Sequence, residues 1–396
     1  MKKRLLFLLM AAVMTLSTAC AGDNGEAPST TGNGDAAQTT AAQSTEAGAI
    51  EGSSTSAADK RYVYNTLSED EKSIYDQILA GVFNYENTVV LDKEYDTAIV
   101  EATYKNVYYQ EPEIFWFMAS GSNFESCGEK TDTVNLAYRY DKEQTAALQK
   151  SIDEGIAKIE ATFPENATDA DKVIAIHDYL ALNAEFTKEH QNAKDVSGPL
   201  VAGYSQCEGY AKAFAYACNK FGIENVRITG NKYTGASHAW NKVKIDGEWY
   251  NVDVTWDDPE GTSGIYVRHN YLFIDDAAIN GITHIVECDF TPPAATSTAL
   301  TYFKHTGTYA TSADEAFSIM QKVMIDCAQQ ELVACQVACD SDETYAAAYD
   351  YIINQGKYND LKNTTNNTSG CSQIVSMSMS CDEEANIIHL NLTYAE

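Results

Sequence analysis

Between residues 61 and 290 apolar side chains recur mostly at helical spacing, interrupted by short β-branched and aromatic runs. TLSEDEKSIYDQILAGVF (66–83) opens with a Ser/Asp-rich cap and continues as an amphipathic helix. EYDTAIVEATYKNVYYQ (94–110) predicts a second helix that stops near Pro112. IFWFM (114–118) reads as a buried strand, followed by TVNLAYRY. From Asp141 to Phe163 a long helix places Leu148, Ile152, Ile156 and Ile159 on one side. DADKVIAIHDYLALNAEF (169–186) is another, capped by Thr168 or Asp169. After PPAATSTA (292–299), a linker by composition, the pattern runs through alternating YFKHTGTYA and a helix from Asp314 to Gln330. The strand ELVACQVAC, a helix near TYAAAYDYII and two closing strands complete it. The expected organisation is an N-terminal helical α+β segment (61–164), an α+β core (165–291) and a small α+β module (300–396).

The block SQCEGYAKAF…GASHAWNKVKIDGEWYNVDVTWDDP (205–259) carries the chemistry. Ser205-Gln206-Cys207-Glu208 has the form of a capping box, which puts Cys207 in the first turn of a helix ending at Gly222. There the unpaired N–H groups and the positive end of the helix dipole favour a thiolate. The same amides can hold an oxyanion. Cys218, eleven residues on, suits a small buried side chain instead.

Asp246-Gly247 is a two-residue type I′ turn signal. It pairs Ile245 with Glu248, sets His238 opposite Thr255 and Trp240 opposite Asp253, and makes His238 and Asp253 diagonal neighbours on one face, about 7 Å apart. In this reading Cys207 attacks, His238 serves as base and then acid, and Asp253 holds its tautomer. Gln206 and Trp240 are candidates for the oxyanion site and the cleft wall, with Trp249 on the same face. His177-Asp178 reads as a helix-surface or packing pair, and Asp257-Asp258-Pro259 as a turn.

The ends change the picture. Lys2, Lys3 and Arg4, an apolar run from Leu5 to Val13 and small residues before Cys20 form a secretory signal (1–20) that resembles a bacterial lipoprotein box, with Cys20 as the acylated residue. Residues 21–60 hold almost nothing to bury and read as a disordered tether. The expected location is therefore extracytoplasmic, with lipid anchoring as the sole membrane attachment. A net charge of −30 over 396 residues argues against nucleic acid as a partner. Of the ten cysteines, Cys335 and Cys339 share a strand about 13 Å apart, too far to bridge each other; a bridge to Cys371 or Cys381, or buried thiols, stay open. No paired CxxC and no acidic loop of calcium spacing occur, so neither a metal nor a cofactor is expected.

AIHDYLALN, CEGYAKAF, HAWNKV and DVTWDDP, in that order, make residues 165 to 290 resemble the transglutaminase-like superfamily. The resemblance implies a papain-like α+β core, a Cys-bearing helix packed on an antiparallel sheet, with Cys207, His238 and Asp253 at the family's positions. Glu208 stands where animal cross-linking members carry tryptophan, which speaks against calcium-dependent cross-linking. The resemblance implies a cysteine hydrolase or acyltransferase acting on peptide or protein amides, cell-wall peptides among the candidate substrates. The alternative is an inactive member that binds or scaffolds.

Overall fold

The computed structural model describes residues 60–119, 128–190, 192–232, 234–258, 266–282 and 284–395. The signal, Cys20, the tether up to residue 59, Cys127 and Pro259 lie outside the described residues. Among the described residues no helix is long and apolar enough to cross a membrane.

The fold is mixed α+β. Helix α1 (Glu69–Asn84) begins with Ser68 and Glu71 in a reciprocal capping box. Strand β1 (Thr88–Asp96) pairs antiparallel with β2 (Lys130–Asn135). The second helix, α2, therefore runs from Thr97 to Gln110, capped by Asp96, rather than from Glu94. Pairing with β2 is a long-range contact, and it overrides the local helical preference of Glu94 and Tyr95. IFWFM is likewise not a strand over its length. Pro112 starts a 3₁₀ turn through Ile114, and Phe117–Met118 alone pair with Ala137–Tyr138. Trp116 is a core plug there, against Phe83, Tyr85 and Phe115.

Helix α3 (Lys142–Glu160) is capped by Asp141 and α4 (Asp169–Asn183) by Thr168. Helix α5 (Cys207–Lys220) is buried along most of its length and packs on the central sheet. That sheet comprises β3 (Asn225–Lys232), β4 (Ser237–Ile245), β5 (Glu248–Val252), β6 (Leu272–Ile274) and β7 (His284–Val286). Its order is β6-β5-β4-β3-β7, antiparallel throughout. Asp246 and Gly247 both take positive φ, so the β4–β5 hairpin has the primed turn its sequence demands. One hydrophobic cluster runs from Val63 to Ile279, joining the N-terminal segment to the sheet.

A second cluster lies beyond residue 300. It sits between α6 (Ala313–Gln330), α7 (Asp342–Tyr349), α8 (Tyr358–Asn366) and a four-stranded sheet. The strands are β8 (Tyr309–Ala310), β9 (Ala334–Cys339), β10 (Ile374–Met379) and β11 (Ile387–Tyr394), in the order β8-β9-β11-β10. YFKHT within the alternating segment is a helical turn, Tyr302–Thr306, and α8 has no counterpart in the sequence reading. All eight cysteines among the described residues are free thiols.

Candidate active site

Cys207 occupies the first position of α5, and Gln206 is its cap. The Ser205–Glu208 capping box does not form. Ser205 pairs with Phe186 in a short parallel bridge and its hydroxyl donates to the Gln206 carbonyl at 2.8 Å. Glu208 turns to Lys212 at 3.0 Å, Arg227 at 3.8 Å and the Tyr108 hydroxyl at 3.1 Å. These charges hold its carboxyl down at about 2 despite burial. A carboxylate facing two buried cations gains more from them than from one backbone amide. The amides at the start of α5 keep no partner within the helix, as at any helix N-terminus. The Gln206 side chain donates to the Lys188 carbonyl at 3.4 Å.

The β4–β5 register follows the turn: Ile245 pairs with Glu248 and Asn241 with Val252. It stops there. Asp253 is not a strand residue opposite Trp240, and Thr255 does not face His238. Asp253 caps the helical turn Val254–Asp257, its Oδ1 accepting from the amides of Thr255 at 2.9 Å and Trp256 at 3.3 Å. His238 instead pairs with Gly230 across the other edge of β4. The diagonal contact still forms, with His238 Nε2 lying 2.5 Å from Asp253 Oδ2.

Both side chains are buried, and burial works against charge on each. For His238 the adjacent Asp253 carboxylate and the Cys207 thiol outweigh burial and raise the imidazole to about 9. Asp253 is held well below the usual carboxylate range; burial opposes this, and the charge and hydrogen bonds of His238 and His284 prevail. Burial also opposes ionisation of Cys207, but a hydrogen bond and charge from His238, with the Ala239 amide, lower its thiol overall. His238 Nε2 is committed to Asp253, and Nδ1 is buried with no other well-aligned partner. That nitrogen is the one left to serve the sulfur. The thiol, imidazole and carboxylate thus lie next to one another.

Residues not singled out in the sequence surround it. Trp256 packs against His238 at 6.3 Å and His284 at 5.4 Å between ring centroids, with Lys232 over its face. Trp240 is buried, its ring stacked beside that of His238 at 5.9 Å between centroids. Trp249, by contrast, packs on Tyr62, away from this chain of groups. His284 lies on the edge strand β7, its Nε2 2.8 Å from the Oδ2 that His238 also approaches. Nothing near His284 in sequence marks it, because its partners are 31 and 46 residues away.

His177 is no surface residue. It is fully buried, its Nδ1 2.9 Å from Asp178 and its Nε2 3.1 Å from Asp257. Burial lowers its pKa, but these two carboxylates raise it to about 9. Asp257 also accepts the amides of Asn270 and Tyr271, and Asp258 accepts from the Tyr210 hydroxyl at 2.6 Å. His238, Asp253 and His284 form one group with donor atoms within 4.8 Å of one another, and His177, Asp178 and His269 form another. In both groups the carboxylate oxygen takes imidazole hydrogen bonds at 2.5–2.9 Å.

Residues 158–254 match the transglutaminase-like superfamily. Over these residues the chain resembles a transglutaminase-like core. Its sequence is 27% identical over 134 residues to mouse kyphoscoliosis peptidase and 26% over 135 residues to the human protein. Each match spans 30% of this chain and 20% of the relative, so the chain spans about a fifth of the length of these curated relatives. A crystal structure of a TGase aligns at 18% identity with a TM-score of 0.26, covering 42% of this chain and 50% of that one. The transglutaminase-like core joins the Cys-bearing helix α5 to the hairpin that carries His238, with Asp253 just past its end.

Proposed function

We propose that this protein is a cysteine-dependent hydrolase or acyltransferase acting on peptide or protein amide bonds. The observation that carries the reading is His238, one ring bonded to Asp253 and acting on the Cys207 thiol. The distant match to peptidases supports it.

With the thiol lowered and the imidazole raised to about 9, the thiolate–imidazolium pair is favoured over the neutral thiol–imidazole pair. The sulfur lone pair attacks the amide carbonyl carbon, and the carbonyl π electrons move to oxygen. In this reading the amide N–H of Cys207, at the first position of α5, binds that oxyanion. As the C–N bond breaks, His238 passes its proton to the departing nitrogen, leaving a thioester and a neutral imidazole. His238 then takes a proton from water, or from an acceptor amine, which attacks the thioester and releases the sulfur as thiolate. Asp253 keeps Nε2 protonated throughout.

The reading places the enzyme outside the cytoplasmic membrane, anchored through Cys20, with cell-wall peptides among its substrates. Replacing Cys207 with Ala should abolish both amide turnover in a peptide-library screen and labelling by a thiol-reactive probe at neutral pH. Turnover that persists in Cys207→Ala would defeat the proposal. An unperturbed Cys207 thiol in the wild type would favour a binding or scaffolding role instead.

A further inference from the structure

We infer that His284 is a positioning residue, the fourth member of a Cys207–His238–Asp253–His284 chain. This rests on the cysteine-enzyme reading above. Asp253 is fully enclosed and its two oxygens divide their work. Oδ1 accepts the Thr255 and Trp256 amides, while Oδ2 receives Nε2 of both His238 and His284, at 2.5 and 2.8 Å. An ionised carboxylate can only accept hydrogen bonds, so both imidazoles present Nε2–H to it. For His238 this fixes the tautomer, because the neutral ring must then carry its lone pair on Nδ1, the nitrogen left for the thiol. His284 adds a second donor to Oδ2 and pins the carboxylate plane from the side opposite its backbone caps. A carboxylate held at both oxygens cannot turn about its Cβ–Cγ bond without losing a buried hydrogen bond.

The surroundings fix His284 in turn. Its ring packs 4.8 Å from Trp240, 5.0 Å from His238 and 5.4 Å from Trp256. Its strand β7 pairs with β3 at Lys232, Asn231 and Gly230. Gly230 is needed for that approach: a Cβ there would lie 2.0 Å from the Ile285 carbonyl oxygen and 3.1 Å from the Trp240 ring. The glycine lets the edge strand come close enough to deliver His284 to Asp253. Among the described residues, the charged and titratable groups facing this pair include His238 on β4, Lys232 on β3, Cys207 on α5 and Tyr271 before β6.

The test measures the rate of Cys207 alkylation by iodoacetamide against pH, alongside kcat and KM on a peptide substrate from the library screen. His284→Ala should lower kcat by about 10- to 100-fold, the range seen when a supporting hydrogen bond to a site residue is lost, with KM little changed. It should also shift the alkylation profile, since Asp253 Oδ2 then bonds His238 alone. His284→Gln, which can return an N–H donor, should restore much of both. An unchanged alkylation profile and kcat in His284→Ala would overturn the positioning role and leave the enzymatic reading intact. An ordinary thiol profile in the wild type would instead overturn the enzymatic reading. Should His284→Ala fail to fold, long-range ¹H–¹⁵N spectra of the wild type decide: Nε2–H on both rings is expected, and a His284 proton on Nδ1 alone refutes the inference.

Discussion

His177 Nε2 lies 3.1 Å from Asp257 Oδ2, tying the middle of α4 to the turn that begins with Asp253. The same carboxylate receives the Asn270 and Tyr271 amides from the segment leading into β6. Asp253 is therefore braced from behind as well as from within its own turn.

Removing His177 should leave buried Asp257 without its imidazole partner. We expect His177→Ala to lose about 3–5 kcal/mol of stability, the usual cost of breaking a buried charge pair. Denaturant unfolding at pH 7 measures it, and a wild-type midpoint would show that the bond does not brace the turn. The sign with pH follows from a folded pKa raised from 6.5 to about 9. This contribution is fully present below about pH 6.5 and disappears as pH rises through about 9. The gap between wild type and variant should narrow accordingly in alkaline buffer.

For turnover, the thiol–imidazole pair predicts a bell-shaped kcat/KM profile. The acid limb marks protonation of Cys207 and should fall below the range of an ordinary thiol. The alkaline limb, near pH 9, marks loss of the His238 proton needed by the departing amine. An alkaline limb near 6.5 would mean that Asp253 does not support the imidazolium.

Iodoacetamide at neutral pH should modify Cys207 and spare Cys218 in the folded protein. Cys207 is half-buried with a lowered thiol, whereas Cys218 is enclosed and burial raises its thiol well above the usual value. Peptide mapping after brief labelling reads the ratio; equal modification would show that α5 opens on the labelling timescale.

Glu208→Gln removes the carboxylate that buried Lys212 and Arg227 share. A loss of about 3–5 kcal/mol is expected in denaturant titrations. A near-neutral effect would mean that the Tyr108 and Tyr109 faces, over which Lys212 and Arg227 lie, satisfy the cations.

At Asp258 a substitution should stabilise instead. Burial lifts its carboxyl to about 7 even though Tyr210 donates to it. An acid raised in the folded state favours folding most when protonated, and its contribution declines as pH climbs from about 3.8 through about 7. Asp258→Asn keeps an acceptor for Tyr210 and should raise stability at pH 8 by more than about 1 kcal/mol, given about 1.4 kcal/mol per pKa unit. The gain should be smaller at pH 5, because less of the penalty has accumulated there. Thermal melts at the two pH values check the difference.

The chain's local chemistry determined much of this arrangement. Ser68, Asp141 and Thr168 start their helices because a capping side chain satisfies amides only two or three residues away. Asp246-Gly247 set the β4–β5 register by turn geometry as far as Asn241 and Val252. Long-range contact decided the rest. Pairing with Lys130–Asn135 drew Glu94 and Tyr95 into β1, and two buried cations drew Glu208 out of its expected cap. His284, Trp256 and His177 reach Asp253 and its turn from β7, from the turn itself and from α4. Sequence periodicity records which face of an element is apolar; it does not record which distant polar group a buried carboxylate will find. That choice is made when the layers pack, because an enclosed charge must take its partners from whatever the fold brings within about 3 Å.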